Sequence, residues 1–222
     1  MTDPHAAALQ HLSNANERLA ALIARVGPCR LRPAPGGSPG AGPGDRDKYA
    51  DDHFAGLLQA IVSQQLSSKA AETIFGRVKT IGLDAEGKLL PKLFLDAEDS
   101  RLREAGLSGN KTRFVKDLAG KVHSGALDLV SLESLDDEAV IDTLCEVKGI
   151  GRWTAEMFLI FRLGRPDILP VDDLGIQKGF VRLFNLRKMP TAERMTTLAK
   201  PFRPYRSIAS WYLWRLTEEK TP

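Results

Sequence analysis

A glycine-rich turn between two helical stretches constrains the fold of this chain more than any other feature. Gly149 and Gly151 are separated by one residue, and apolar residues recur at helical spacing on both sides of them. Glycine tolerates positive φ angles and lets another backbone come close. We therefore predict a tight hairpin whose second helix begins near Arg152 and points unpaired N–H groups toward the turn.

The same helical spacing runs through most of the 222 residues, and no segment alternates in the way a strand would. An all-α fold is therefore expected. The apolar stripe over residues 9–26 predicts one helix, which ends at Gly27. Asp51 or Asp52 is expected to cap the following helix.

Composition excludes several classes of function. The two cysteines, Cys29 and Cys145, are too few for a disulfide framework or for a four-thiolate metal or iron–sulfur site. No run approaches the roughly 18 apolar residues that span a bilayer, and the first residues lack a basic segment followed by an apolar one. We expect an intracellular protein, in the cytoplasm and nucleoid or in a nucleus, with no membrane partner.

The net charge of +3 is unevenly distributed along the chain. From Lys148 to the C-terminus there are 14 Lys and Arg residues against 7 Asp and Glu residues, whereas the preceding residues carry 17 against 21. A basic C-terminal third fits a polyanionic partner such as nucleic acid. A solvated mixed-charge surface explains the same counts, and Lys111, Arg113 and Lys116 are interpreted as part of such a surface.

Two aspartates, Asp172 and Asp173, precede the next helical stripe. One of them can be no more than a helix N-cap. If Asp172 is the cap, Asp173 occupies the first helical position, where the helix dipole stabilises its negative charge. An ionised carboxylate beside an electron-poor sugar carbon can stabilise an oxocarbenium-like transition state, as in glycoside hydrolysis.

Four segments, taken together and in order, resemble a known family. They are similar to the helix-hairpin-helix DNA glycosylases with the Gly/Pro-Asp signature, in particular to the 3-methyladenine DNA glycosylase II branch, and comprise residues 54–67, 107–111, 149–173 and 204–207. The resemblance implies a two-lobed all-α fold with a DNA cleft between the helical lobes and no N-terminal β domain. It places the hairpin in a lobe of residues 50–165.

The second implied lobe comprises residues 1–49 and 166–222, with the Gly/Pro-rich residues 32–47 as a linker.

The resemblance further implies a monofunctional enzyme of base excision repair. Such an enzyme flips alkylated bases of the 3-methyladenine and 7-methylguanine type out of double-stranded DNA and hydrolyses their N-glycosidic bond with water as the nucleophile. No cofactor is required, and we expect a monomer.

The resemblance also implies roles for individual residues. The catalytic carboxylate is Asp173, with Asp172 as the alternative. The residues expected to contact DNA are Gly149, Gly151, Arg152, Gln64, Gln65 and Leu66. The base pocket is expected to contain Trp153, Met157 and Leu174. A Na+ or K+ ion is expected at the backbone carbonyls of Cys145, Val147 and Gly149 or Ile150. Gln64 and Gln65 are also compatible with an exposed helix end.

Trp153 stands where lyase-type relatives carry a lysine nucleophile, so no Schiff base can form at this position. Its indole fits core packing and base stacking equally well, whereas packing is the expectation for Phe158, Phe161, Trp211 and Trp214.

Two other functions remain open. One is a non-catalytic DNA-binding protein that holds phosphate with the hairpin, and the other is a glycosylase for oxidised or mismatched bases.

Overall fold

The computed structural model describes residues 3–31 and 52–218. In these two ranges the chain forms twelve α-helices and no β strand, apart from an isolated antiparallel bridge between Leu83 and Leu89. The all-α prediction is confirmed. The predicted linker 32–47 and Asp51 lie outside the described residues. None of the described helices is long and apolar enough to cross a membrane.

The helices have the following bounds in chain order: α1 Ala6–Ala15, α2 Glu17–Val26, α3 His53–Ser63, α4 Ser68–Ile81, α5 Pro91–Asp96, α6 Asp99–Glu104, α7 Gly109–His123, α8 Asp137–Cys145, α9 Arg152–Phe161, α10 Leu174–Phe184, α11 Ala192–Leu198 and α12 Arg206–Glu218. Two short 3-10 turns, Ser131–Ser134 and Lys200–Phe202, lie between them.

The chain divides into two compact units. One comprises Met1–Arg46 and Leu159–Pro222, and the other comprises Asp47–Phe158. The second boundary therefore lies inside α9, before the position 165/166 expected from the sequence. The end of α9 belongs with the C-terminal helices because Phe161 stacks on Trp214.

The unit that contains the C-terminal residues has its core where α2, α10 and α12 pack together. Phe180 of α10 and Tyr212 of α12 are fully buried, and burial of a phenylalanine side chain contributes roughly 1.5–3 kcal/mol. Gly179 lets α10 approach α12, because a Cβ at this position would lie 2.7 Å from the Cβ of Leu213. The Tyr212 hydroxyl donates to the carbonyl of Gly27 at 2.8 Å and so fixes the end of α2.

The prediction of one helix over residues 9–26 is wrong, because the structure has two helices there. Asn16 is extended, with φ −159° and ψ 120°, and its side chain accepts a hydrogen bond from the amide of Leu19 at 2.9 Å. Asn16 is therefore the N-cap of α2. The apolar stripe did not reveal the break, because both helices bury residues that fit one helical pattern.

The other unit is built around α3, which is flanked by α4 and α7. Asp52 caps α3 by accepting from the amide of Ala55 at 3.1 Å. Seven of its eleven residues are buried, including Phe54, Leu57, Leu58, Ile61 and Val62. The C-terminal end of this buried helix fixes the start of the loop 64–67.

Candidate functional site

The predicted hairpin is present between α8 and α9. Gly149 has φ +84°, and the amide of Ile150 closes the turn by donating to the carbonyl of Val147 at 3.0 Å. A Cβ at Gly149 would lie between 2.2 and 2.7 Å from ring atoms of Phe114. Both the backbone angle and the neighbouring ring therefore require glycine at this position.

The hairpin presents backbone donors to solvent. Within residues 3–31 and 52–218, the amides of Gly149 and Gly151 have no hydrogen-bond acceptor, whereas the amide of Lys148 donates to Asp117 at 2.9 Å. Gly151 is exposed, and a Cβ there would meet no atom within 4 Å. Together with the first turn of α9, these amides form an arrangement that can bind an anion.

Arg152, a predicted DNA contact, forms ion pairs within its own unit. Its Nη1 and Nη2 donate to the two carboxylate oxygens of Glu138 at 2.9 and 2.6 Å, and its Nε donates to Glu156 at 3.2 Å. The same hydrogen bonds raise the pKa of Arg152 and lower the pKa of Glu138. A phosphate that approaches Arg152 must therefore compete with Glu138.

Three of the expected DNA contacts, Gln64, Gln65 and Leu66, lie in the loop 64–67 (the probing loop), which follows α3 directly. Gln64 is the C-cap of α3, and its side-chain amide donates to the carbonyl of Gly149 at 2.7 Å. Gln65 has φ +57°, which is rare for a residue other than glycine. Gln65 and Leu66 are exposed, and Ser67 caps α4 through the amide of Ala70. The loop therefore presents two adjacent side chains to solvent from a constrained backbone.

Lys111 is not part of a solvated face, which corrects the interpretation from sequence. Its Nζ donates to the carbonyls of Val62 and Gln64, both at 2.7 Å. Partial burial lowers its pKa. The lysine thus satisfies two carbonyls at the C-terminal end of α3, where the helix itself supplies no donors. These two hydrogen bonds connect α7 to the start of the probing loop.

The aspartate that caps α10 is not the one for which the sequence argument was made. Asp173, not Asp172, is the N-cap of α10, so the first helical residue is Leu174. The Oδ1 of Asp173 accepts from the amide of Ile176 at 2.8 Å and from Nε1 of Trp214 at 2.9 Å. Asp172 is exposed, whereas Asp173 is half-buried. Asp173 is therefore the more firmly held of the two carboxylates.

The segment before the aspartates is anchored to the start of α12. Arg206 binds Asp167 with two hydrogen bonds between guanidinium and carboxylate, at 2.7 and 2.9 Å. The hydroxyl of Ser207 donates to the carbonyl of Arg165 at 2.6 Å and accepts from the amide of Ile168 at 2.9 Å. Two of the segments that carry the family resemblance are therefore in direct contact: residues of the segment 204–207 hold part of the segment 149–173 in place.

The predicted pocket residues differ in exposure. Trp153 is 45% exposed and Leu174 is 56% exposed, whereas Met157 is half-buried. Trp153 and Met157 belong to the unit of residues 47–158, and Leu174 belongs to the other unit with both aspartates. Phe158 and Trp211 are buried, as expected for core residues.

Two aromatic residues expected in the core are placed differently. Phe161 is 46% exposed, and its ring stacks on Trp214 with a centroid distance of 5.6 Å and an interplanar angle of 27°. Helical spacing alone did not show that Trp214 reaches Asp173, because these two residues are 41 positions apart in the sequence.

The described residues contain no group of three or more His, Cys, Asp or Glu side chains that could hold a metal ion. The predicted alkali-ion ligands are carbonyls instead. Those of Val147 and Gly149 each accept one hydrogen bond, from Ile150 and Gln64 respectively. A carbonyl oxygen has a second lone pair, and carbonyls are suitable ligands for K+, so each of these two oxygens keeps one lone pair that a cation can bind.

Comparison with known proteins assigns the family. Residues 58–204 match the family described as HhH-GPD superfamily base excision DNA repair protein. The matched range contains the probing loop, the hairpin and both aspartates. The chain belongs to the HhH-GPD superfamily.

Named relatives and solved structures agree with this assignment. The HhH-GPD chain is 33% identical over 208 residues to the alkylbase DNA glycosidase-like protein mag2 of Schizosaccharomyces pombe, a match that covers 93% of this chain and 91% of the relative. It is 35% identical over 209 residues to DNA-3-methyladenine glycosylase 1 of the same organism, covering 94% and 86%.

Among solved structures, the S. pombe 3-methyladenine DNA glycosylase Mag1 in complex with abasic DNA has a TM-score of 0.78 and 34% identity, with coverage of 96% and 97%. A Bacillus halodurans DNA-3-methyladenine glycosidase has a TM-score of 0.79 and 31% identity, with coverage of 97% and 91%. The predicted family and its all-α glycosylase fold are confirmed.

Proposed function

We propose that this HhH-GPD chain is a monofunctional DNA glycosylase of base excision repair that hydrolyses the N-glycosidic bond of alkylated bases in double-stranded DNA. The observation that carries the proposal is the likeness, over 94% of the chain, to a relative named DNA-3-methyladenine glycosylase. This likeness favours the proposal over a non-catalytic DNA-binding protein and over a glycosylase for oxidised or mismatched bases.

The hairpin binds one phosphate of the DNA backbone. The amides of Gly149 and Gly151 donate to its oxygens, and the open space at Gly151 lets the phosphate approach closely. Such a contact positions the duplex without reading its sequence. Because phosphate binding releases counterions, affinity for DNA falls as the salt concentration rises.

The probing loop and the base pocket handle the extruded nucleotide. Leu66 is 38% exposed and with Gln65 fills the space that the flipped base leaves in the duplex. The exposed indole of Trp153 supplies a surface on which a base can stack. Met157 lies four residues further along α9, on the same helix face as Trp153, so fit to this apolar surface contributes to the selection of the damaged base.

Asp173 stabilises the positive charge that develops on the sugar as the bond breaks. Its carboxylate lies at the N-terminus of α10, whose dipole favours negative charge, and two N–H donors hold its Oδ1. Bases such as 3-methyladenine and 7-methylguanine are cationic and leave without a general acid, so one carboxylate suffices. Water attacks the sugar, since Trp153 leaves no lysine at that position for a Schiff base.

No cofactor takes part in this hydrolysis. A Na+ or K+ ion at the carbonyls of Cys145, Val147 and Gly149 would stabilise the hairpin and add positive charge beside the phosphate. We expect the enzyme to act as a monomer inside the cell.

The test is excision from duplex oligonucleotides that each carry one 3-methyladenine or 7-methylguanine. Asp173→Asn should lower the single-turnover excision rate constant by about 10²- to 10³-fold, the effect typical of losing one electrostatic contact to the transition state. The matched control is Asp172→Asn, which should excise nearly as fast as wild type. Wild-type activity of Asp173→Asn would overturn the assignment, and a covalent DNA adduct trapped by borohydride would overturn the monofunctional mechanism.

A further inference from the structure

The indole of Trp214 makes a long-range contact with the carboxylate assigned to catalysis. Its Nε1 donates to Oδ1 of Asp173 at 2.9 Å from a position 41 residues further along the chain. The same oxygen accepts the N-cap hydrogen bond from the amide of Ile176 at 2.8 Å. An N-cap needs only the second of these bonds, so the contact with Trp214 calls for another explanation.

Two donors on one oxygen restrict the carboxylate more than one donor does. The terminal torsion of an aspartate side chain is broad, so the N-cap bond alone lets the carboxylate rotate. A second donor on another helix fixes the position of Oδ1, and the other oxygen is then placed by the planarity of the group. Asp173 is thereby held in one orientation.

Gly175 provides the space that this contact needs. A Cβ at Gly175 would lie 2.9 Å from Cδ1 and 3.2 Å from Nε1 of Trp214, and 3.0 Å from Oδ1 of Asp173. Gly175 is not among the glycines with positive φ, so its backbone angles do not require glycine. Its place in the first turn of α10 is thus explained by the approach of the indole.

The face of the indole is held as well as its N–H edge. Phe161 stacks on Trp214 at a centroid distance of 5.6 Å. The ring therefore has a defined orientation toward Asp173, as a positioning group requires.

We propose that Trp214 is a positioning residue that orients the carboxylate of Asp173 for the excision step, and that Gly175 makes this contact possible. The inference rests on the proposed catalytic role of Asp173. It predicts that loss of the indole N–H impairs the chemical step and leaves DNA binding unchanged.

The experiment compares Trp214→Phe, Gly175→Ala and the double variant. Trp214→Phe keeps an aromatic ring against Phe161 and removes the donor. Its single-turnover excision rate constant at saturating enzyme should fall by about 10- to 100-fold, as misplaced catalytic groups typically cause. Its Kd for a duplex with a tetrahydrofuran abasic-site analogue should match that of wild type.

Gly175→Ala should slow excision by a similar factor, because the methyl group pushes the indole away from Asp173. The double variant should be no slower than the slower single variant, since both remove one contact. A purely structural role would instead give rate losses that add and that follow the loss of thermal stability. Gly76→Ala is the matched control: it is a helical glycine of α4 with no atom within 4 Å of a built Cβ, and it should excise like wild type.

The outcomes separate this inference from the proposed function. If Asp173→Asn is slow but Trp214→Phe excises at the wild-type rate, the positioning role is overturned and the function stands. A Trp214→Phe variant with weaker DNA binding and an unchanged rate at saturation also overturns it, because Trp214 then contacts DNA instead. If Asp173→Asn excises at the wild-type rate, the catalytic assignment fails and the positioning role fails with it.

Discussion

The side-chain amide of Gln64 donates a 2.7 Å hydrogen bond to the carbonyl of Gly149, 85 residues away in the sequence. Gln64 directly precedes the exposed Gln65 and Leu66, and Gly149 is the first glycine of the hairpin. The probing loop and the hairpin therefore share a direct contact within one compact unit. A rearrangement of one must displace the other or break this bond.

Gln64→Leu removes the bond and keeps a side chain of similar size. We expect the free energy of unfolding to fall by about 1 kcal/mol, the typical contribution of one hydrogen bond. Excision should slow as well, because the loop is no longer held against the hairpin. Thermal unfolding and single-turnover kinetics measure the two effects, with the exposed neighbour variant Gln65→Leu as the stability control. A Gln64→Leu protein as stable as Gln65→Leu would contradict the coupling.

Lys111→Met tests the role of the lysine at the end of α3. The substitution leaves the carbonyls of Val62 and Gln64 without their donor, which should lower the free energy of unfolding by about 1–3 kcal/mol. Arg113 is an exposed residue of α7, the helix that also carries Lys111. Arg113→Met should therefore change the free energy of unfolding by no more than about 0.5 kcal/mol. Urea unfolding compares the two, and equal stabilities would show that Lys111 is merely solvated.

The two hairpin glycines should respond differently to alanine. Gly149→Ala forces a Cβ into the ring of Phe114 at φ +84° and should destabilise the protein by about 1–3 kcal/mol. Gly151→Ala meets no neighbour, so the protein should stay folded and bind duplex DNA more weakly. Calorimetry and fluorescence anisotropy distinguish the variants. Wild-type DNA affinity in Gly151→Ala would argue against a phosphate contact at that amide.

Glu138→Gln tests whether the ion pair competes with DNA. The substitution removes the negative charge that holds Arg152, so its guanidinium becomes available to a phosphate. Affinity for duplex DNA should rise, and the slope of log K against log salt should steepen by about 0.9, the effect of one additional phosphate contact. Arg152→Gln should not steepen the slope. An unchanged slope in Glu138→Gln would mean that Arg152 does not reach the DNA.

The ion pair between Arg152 and Glu138 also predicts a pH dependence of stability. Hydrogen bonds from Arg152 lower the pKa of Glu138 below its ordinary value of 4.5. Its stabilising contribution is therefore fully present above pH 4.5 and is lost as the pH falls through the lowered pKa. Urea unfolding of wild type and Glu138→Gln should show a difference at pH 7 that disappears in acid. A difference that persists at low pH would require another origin.

Much of the local structure was predictable because its causes are local. Helical periodicity indicated an all-α chain, and the spacing of Gly149 and Gly151 indicated a hairpin that allows a positive φ, which the structure places at Gly149. Prediction failed where two local signals compete. The stripe over residues 9–26 concealed the cap at Asn16, and either aspartate of the pair had the chemistry of an N-cap.

The sequence by itself determined the all-α class, the hairpin and the family, since these depend on residue type and on spacing over a few turns. Only the tertiary structure decided which groups act on one another: Lys111 with the end of α3, Gln64 with Gly149, and Trp214 with Asp173. These partners are 41 to 85 residues apart. Such contacts arise from the packing of whole helices, in which small residues such as Gly175 set how closely side chains approach, and no periodicity along the chain encodes them.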